Sequence, residues 1–476
     1  MSVALTSSVN YTLKPTSVKC NRRQIVIPCS NKTSFTAGET AVFYLPSLSN
    51  QVMDGQSGYM RFTATITDNG YLDNSAQSFI DRIQTYAAGG QLISDIQQYS
   101  VLAAMMTDLQ LSQSEKIGLS GTLGTEDDYG STTVTTALTA SGPLAQDYFA
   151  TYPGAGGLAQ GDPFAPVTAT STPTLTNSNR KGMALTDGEP YTFCIPLLHP
   201  IFTLSEKYWP AFALSDDTRL EITWNSVLNA LVSSTAFTIT NPEIIVDMIE
   251  FDSSVFPMIQ QTYSGSELII PAQDYHYYAS MIAAGTTGNI SQIIPAKQQS
   301  ARAMFFTFRP AETQAAAGYS VSSRVNPFYS VGDQFNLNVG GMKVPQHPIR
   351  TRIAGNHAEW FASTQTALHA FNSLDMNGSL NRSYYGATSA QAGHLAGANS
   401  YRNGFCLGLN LDSLRGQSQT QNSGISLANI TTYYEGYIGT APKATGGGDE
   451  NVTVDCFLLH DCLYVVAADG TMSVRW

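Results

Sequence analysis

A series of five features runs through this chain twice, in the same order. In the first half an alternating run, FIDRIQTYA, reaches Gly89-Gly90. A short apolar run returns and a helical stretch follows. A long stretch of Gly, Ser, Thr and Asn, about 112–185, then leads to an apolar run opening Phe193-Cys194. In the second half QFNLNV reaches Gly340-Gly341, MKVP returns, a helical stretch follows, and residues 373–403 lead to Phe405-Cys406. Each half closes on further strands, EIIVDMIEFD in one and FLLHDCLYVVAADGTMSVRW in the other. Solenoid repeats run ~20–50 residues, so a recurrence this long reads as a duplicated domain. Gly-Gly between alternating runs signals a tight hairpin, because its central residues take positive φ.

The segments between these landmarks alternate with period two. Met60, Phe62, Ala64 and Ile66 share one face, and Leu220, Ile222 and Trp224 another; Met304, Phe306 and Phe308, and Phe335, Leu337 and Val339, repeat the pattern. One face of each strand is in a core and the other is wet. Many such strands separated by Gly, Asn and Pro indicate sandwiches or barrels. Two segments read as helices. In the first, Ser94 with Gln97 forms a capping-box pattern, and Ile96, Tyr99, Leu102, Met106 and Leu109 follow at helical spacing to about residue 111. In the second, about 356–371, Asn356 caps, Glu359 sits three residues on, and Phe361, Leu368 and Phe371 trace one face. The expectation is an all-β chain of two tandem sandwiches with one short helix inserted in each. Its parts are an N-terminal basic arm at 1–35, a first sandwich at 36–255 and a second at 256–476. The stretch 112–185 is too long for a connector in a compact domain and reads as a surface insertion.

Charged residues make up 13% of the 476, about half the usual share for a soluble domain of roughly 25%. A surface of small neutral polar groups is desolvated cheaply against a partner. The net charge of −12 argues against general nucleic-acid binding. Residues 1–38 depart from it, with Lys14, Lys19, Arg22, Arg23 and Lys32 and no acidic residue. These five cations are the candidate contact residues of the arm, on polyanionic material facing it. The N-terminus lacks a basic start with an apolar run, and no apolar stretch reaches the ~18 residues of a membrane span. Export through a signal peptide is therefore not expected.

Several chemical patterns fail on inspection. GAGGLAQGDP at 154–163 lacks the Lys-Ser/Thr of a phosphate loop. His357-Ala358-Glu359 lacks the second His of a zinc-protease helix. The six cysteines form no CxxC pair. Cys456, His460 and Cys462 share parity, yet the two thiols would lie ~20 Å apart on an extended strand, too far to share an ion. Buried free thiols are expected instead. Glu126-Asp127-Asp128 and Asp449-Glu450 read as solvated loop acids in preference to a Ca²⁺ site. The pairs Tyr277-Tyr278, Tyr384-Tyr385 and Tyr433-Tyr434 read as strand and interface residues ahead of a glycan site. No catalytic, metal or cofactor residue is assigned, and no enzyme is expected.

Three segments carry a resemblance. FCIPLLHPIFTLSEKYWPAFALSDDTRLEITW resembles the late part of the first jelly roll in double jelly-roll major capsid proteins. SSRVNPFYSVGDQFNLNVGGMKVPQHPI resembles the early second jelly roll of the polinton-like virus and virophage lineage, and SGISLANITTYYEGYI resembles its C-terminal region. The resemblance implies a viral structural protein in the virion, assembled inside the host cell. It implies homotrimers with a pseudo-hexameric outline that tile an icosahedral shell beside neighbouring capsomers. A minor capsid or penton protein is implied as a further partner. By the same analogy the arm at 1–35 faces inward, toward a minor capsid protein, an inner membrane or the genome, and 112–185 faces outward. The competing expectation is a two-domain β-sandwich adhesin or glycan-binding protein.

Overall fold

The computed structural model describes residues 20–125, 182–205, 207–232, 234–252, 256–263, 267–310, 334–351, 358–368, 405–413, 424–439, 441, 449 and 451–475. Eight strands build the first half: β1 (Cys20–Pro28), β2 (Thr40–Leu45), β3 (Gln51–Thr67), β4 (Ile80–Tyr86), β5 (Leu92–Ile96), β6 (Pro190–Ile195), β7 (Thr218–Trp224) and β8 (Ala236–Phe251). Eight more build the second: β9 (Leu268–Ile282), β10 (Gly288–Ile294), β11 (Ala301–Pro310), β12 (Gln334–Val339), β13 (Met342–Arg350), β14 (Leu407–Asn410), β15 (Thr432–Ile438) and β16 (Val452–Val466).

The pairing is that of one long hairpin rolled up. In the first half β1 pairs with β8, β2 with β7, β3 with β6 and β4 with β5, all antiparallel. Rolling then joins β8 to β3 and β7 to β4. The outcome is two facing sheets, β1-β8-β3-β6 and β2-β7-β4-β5. The second half repeats every one of these pairings with each strand eight places on, giving β9-β16-β11-β14 and β10-β15-β12-β13. Eight strands in this order make a jelly roll, and the chain contains two in tandem.

Each sandwich closes on aromatic side chains that bridge its sheets. Phe62 of β3 meets Trp224 of β7 at 5.5 Å and Phe193 of β6 at 5.9 Å. The same position in the second sandwich belongs to Phe306 of β11, 5.1 Å from Phe335 of β12 and 5.8 Å from Tyr434 of β15. All six rings are essentially excluded from solvent. The expected hairpins hold too: Gly89 and Gly90 have φ of 78° and 80°, Gly340 and Gly341 of 60° and 90°. Only glycine enters that region without a Cβ penalty.

Helices α1 (Tyr99–Gln110) and α2 (Ala358–Ala367) follow the two glycine hairpins, as expected. The first half adds short helical segments at Gln113–Gly118, Ser120–Leu123 and Val227–Ala230, and Phe256–Tyr263 links the halves. Local details differ from the sequence reading. Ser94 caps nothing; it lies inside β5, whose pairing with β4 runs to Ile96, and α1 starts only after Gln98, at φ 50°. Pairing with a neighbouring strand outweighs the local capping pattern. On α2 the buried face is Trp360, Thr364 and Ala367, with Phe361 and Leu368 only half-buried. The indole of Trp360 donates to the Cys406 carbonyl at 2.6 Å, which sets the rotation of the helix. Asn356, His357 and Phe371 lie outside the described residues.

The arm expected at 1–35 is also redrawn. Residues 20–28 are β1, paired along their whole length with β8, and Ser34–Thr36 adds a short strand to the same sheet. The stretch CNRRQIVIP hides this because it is an edge strand, with only Ile25 and Ile27 turned inward. Of the insertion 112–185, the root is described. Thr125 and Gly182 are bridged backbone to backbone, and a small sheet of Gly70–Leu72, Ala184–Leu185 and Leu231–Val232 holds the returning end. Beneath it Lys116 pairs with Asp108 at 2.9 Å, both buried, and Asn74 donates to the same carboxylate. Residues 126–181 and the second stretch, 373–403, lie outside the described residues.

Two substitutions separate core packing from turn geometry. Phe62→Ala should cost about 3–5 kcal/mol by leaving a cavity between the sheets. Gly341→Ala, where an added Cβ meets nothing within 4 Å, should cost only the strain of positive φ, about 1–2 kcal/mol. Equilibrium denaturation of both variants checks the ranking.

Candidate assembly surfaces

The chain places its polar chemistry at the contact between its two sandwiches. Helix α1 fills this contact. It is enclosed on every side, with Tyr99 through Leu109 all buried and its Asp108 paired with Lys116. A helix with no wet face needs cover all round. One side rests on the first sandwich, and the other meets the outer face of β9-β16-β11, where the Tyr275 hydroxyl lies 3.9 Å from the Met106 sulfur. That face also carries an ion pair. Arg309 donates to both carboxylate oxygens of Asp455, at 2.6 and 2.8 Å, and reaches Gln98 across the junction at 3.2 Å. Tyr277 donates to the same carboxylate at 2.7 Å. Arg309 and Asp455 are 2% and 0% exposed, so each depends on the other for solvation.

The segment after β6, residues 196–217, crosses from the first sandwich to the second. Gln273 donates to the Leu204 carbonyl at 3.0 Å, Trp209 meets Tyr464 at 5.9 Å, and Ser215 donates to Gly470 at 3.1 Å. His199 anchors its start. Its Nδ1 accepts from the Ile201 amide at 3.2 Å, which puts the ring proton on Nε2, 2.8 Å from the Thr85 hydroxyl. Burial without a carboxylate partner pushes His199 down to about 3.

The five cations assigned to the arm divide. Lys14 and Lys19 lie outside the described residues. Arg22 bonds Asp247 at 2.7 Å and Asp54 at 3.0 Å. Arg23 donates to Gln51 at 3.2 Å, and Lys32 is bonded to Glu39. The structure therefore ties Arg22, Arg23 and Lys32 to the first sandwich and does not gather them into one cationic patch. The carboxylate partners of Arg22 and Lys32 lie up to 225 positions away in sequence, and Arg23 meets a neutral amide.

The other patterns find structural uses. Cys456, His460 and Cys462 are buried on β16, and no cluster able to hold a metal occurs among the described residues. Burial pushes both thiols up and His460 down to about 4. Tyr278 donates to Gln298 at 3.0 Å, and Tyr434 stacks on Phe335 at 5.7 Å. Of the acidic clusters, Asp449 alone is described; Glu126-Asp127-Asp128 and Glu450 lie outside, as do Tyr384-Tyr385 and GAGGLAQGDP. A cleft of about 500 Å³ opens beside the junction, lined by Val52, Tyr208, Phe212, Ile259 and Ile269 among others. Its apolar lining offers contact area and no reactive constellation. Arg309 and Asp455 went unnoticed in the sequence, although charges set within the apolar runs MFFTFRP and VDCFLLHD were a signal of buried pairing.

The sequence matches no protein-family model and no curated protein. Solved structures match the whole chain. A chain of the PBCV-1 virus capsid aligns with TM-score 0.56 and 10% identity, over 98% of this chain and 99% of that one. The Faustovirus major capsid protein aligns with TM-score 0.54 and 9% identity, over 96% and 92%. A chain of the Sputnik virophage aligns with TM-score 0.52 and 11% identity, over 100% and 93%. Coverage of both sandwiches in one alignment shows that this chain has the double jelly-roll fold.

Two measurements test the junction. Asp455→Asn should cost about 3–5 kcal/mol by stranding Arg309, and Asp455→Leu with Arg309→Met should recover much of that loss in chemical denaturation. The second concerns acid. An unfolded His199 takes up a proton near 6.5 and the folded one only near 3. Stability is therefore lost as pH falls below 6.5, by about 2 kcal/mol at pH 5. Burial of Asp274, raised to about 7, acts the opposite way, favouring the fold as pH falls through the same range. His199→Gln isolates the histidine contribution: between pH 7 and 5 its melting temperature should fall less, or rise more, than that of the unaltered protein.

Proposed function

We propose that this chain is a major capsid protein that self-assembles as homotrimers of pseudo-hexameric outline into an icosahedral viral shell. The observation that carries this reading is the pairing of two jelly rolls of identical strand order in one chain, joined by a buried contact. Three such chains present six similar wedges, and three plus three is the simplest way for two unequal sandwiches to approach sixfold packing. The neighbours in fold support the reading, since they are chains of viral capsids. The chemistry agrees with it: neutral polar surfaces suit broad contacts between copies, and the described residues hold no catalytic constellation. The protein's place is then the virion, beside neighbouring capsomers and a minor capsid or penton protein.

Residues 1–19 are the arm proper in this reading, directed toward an inner membrane, the genome or a minor capsid protein, with Lys14 and Lys19 as its cations. No helix among the described residues is long and apolar enough to cross a membrane. The adhesin alternative is less well supported, because Tyr277 is engaged by Asp455 at the junction and Tyr278 and Tyr434 have partners inside the second sandwich.

Native mass spectrometry tests the assembly directly. The expected species is three times 51.2 kDa, and a monomer that persists at high concentration overturns the proposal. Removal of residues 1–19 should leave the trimer and reduce the yield of closed shells in electron micrographs; a monomer after this removal would refute the division of labour.

A further inference from the structure

The cleft beside the junction keeps large apolar side chains in water. Tyr208 and Ile269 are 51% and 45% exposed, and they line it together with Val52, Phe212 and Ile259. One wall is the start of β9. Further along this strand Ala272 is bridged to Ser205 and Gln273 donates to Leu204. Before that point, among the described residues, the backbone of 268–271 pairs with β16 alone. Its other edge is open and adjoins an apolar groove. An open edge offers unpaired backbone groups to a further strand. Strand addition there draws affinity from main-chain hydrogen bonds and places alternate side chains in the groove.

The position of the cleft narrows the choice of occupant. Val52 lies at the start of β3, and the root of the insertion follows the far end of that strand, at Gly70–Leu72. The cleft is thus at the end of the first sandwich opposite the insertion. The start of β1 is at the same end, for Ile249 of β8 pairs with Arg22 on one side and Val52 on the other. Two strand spacings, ~10 Å, separate Arg22 from Val52.

Residues 1–19, outside the described residues, join the structure here, and their sequence has the pattern that the edge calls for. Val9, Tyr11 and Leu13 alternate with Asn10, Thr12 and Lys14, and Pro15 follows. Period-two alternation is that of a strand with one apolar face, and proline lacks the amide that would continue a ladder. Residues 14–19 span up to ~20 Å when extended, enough to carry the alternating run from β1 to the cleft.

We propose that residues 9–13 lie in the cleft of their own chain as a strand added to the free edge of β9, with the apolar face of the run turned into the groove. The arm then straps the two sandwiches together, since β1 belongs to the first and β9 to the second. This goes beyond the self-assembly reading and does not rest on it.

Hydrogen exchange and cross-linking of the full-length chain test the strap. In a variant with Tyr11→Asp and Leu13→Asp, the amides of 268–270 that do not bond β16 should exchange at least tenfold faster than in the unaltered protein. Those of Thr218–Trp224, inside the first sandwich, should keep their rates. Equal rates at 268–270 overturn the proposal. Lys207 also lines the cleft, so an amine-reactive cross-linker should join it to Lys14, with a yield at least fivefold lower in the double variant. An unchanged yield overturns the proposal too. Co-expression of a Lys207→Arg chain with a Lys14→Arg chain separates the chain's own arm from that of a second copy, because a link from Lys14 to Lys207 can then form only between copies. Its loss from the mixed pair supports the strap, and its persistence assigns the cleft to another copy's arm and overturns the proposal. Neither readout depends on the oligomeric state, so a monomer would sink the capsid reading and leave this test intact.

Discussion

A jelly roll must bury one face of each of its sheets, and in this chain one sheet is buried on both. The inner face of β9-β16-β11 closes the second sandwich through Phe306, and its outer face is covered by β5 and α1 of the first together with α2 of its own sandwich. This second burial is what makes two sandwiches into one body. It also explains the placement of Arg309 and Asp455. A strand buried on both sides has no wet face for a charge, so a charge there needs its counter-ion on the neighbouring strand. The bidentate geometry, with Tyr277 and Gln98 on the remaining positions, supplies that. The pair lies within the second sandwich, and the bond from Arg309 to Gln98 is what carries it across the junction.

The asymmetry of the two halves follows from the same contact. Helices α1 and α2 occupy equivalent places after equivalent hairpins, yet one is buried all round and the other has an exposed, polar side. Their surroundings differ accordingly. The first is enclosed between sandwiches, while the second packs one face on β14 and turns the other outward. Edge strands differ in the same way: β9 is bridged by Leu204 and Ser205 of the crossing segment, and among the described residues β1 pairs with β8 alone.

The plan of the fold was legible because its signals are local. Period-two alternation, positive-φ glycines and the order of strand, turn, helix and loop are properties of neighbours along the chain. Gly89-Gly90 and Gly340-Gly341 stand where the hairpins turn, and Phe193-Cys194 and Phe405-Cys406 mark matching positions beside β3 and β11. Errors arose where a distant partner decides the local outcome. Ser94 has the residues of a helix cap and is taken by β5. Residues 20–28 have the composition of a solvated arm and are an edge strand, because β8, more than 200 residues on, supplies their ladder. Arg22 looked available for a polyanion and is held by Asp54 and Asp247.

By itself, then, the sequence determined that the chain would make two sandwiches of one design, since each half carries its own alternation and turns. Only the tertiary structure decided which faces are buried a second time and which charges find a counter-ion. Those outcomes depend on pairs of residues hundreds of positions apart, whose contact no local pattern encodes.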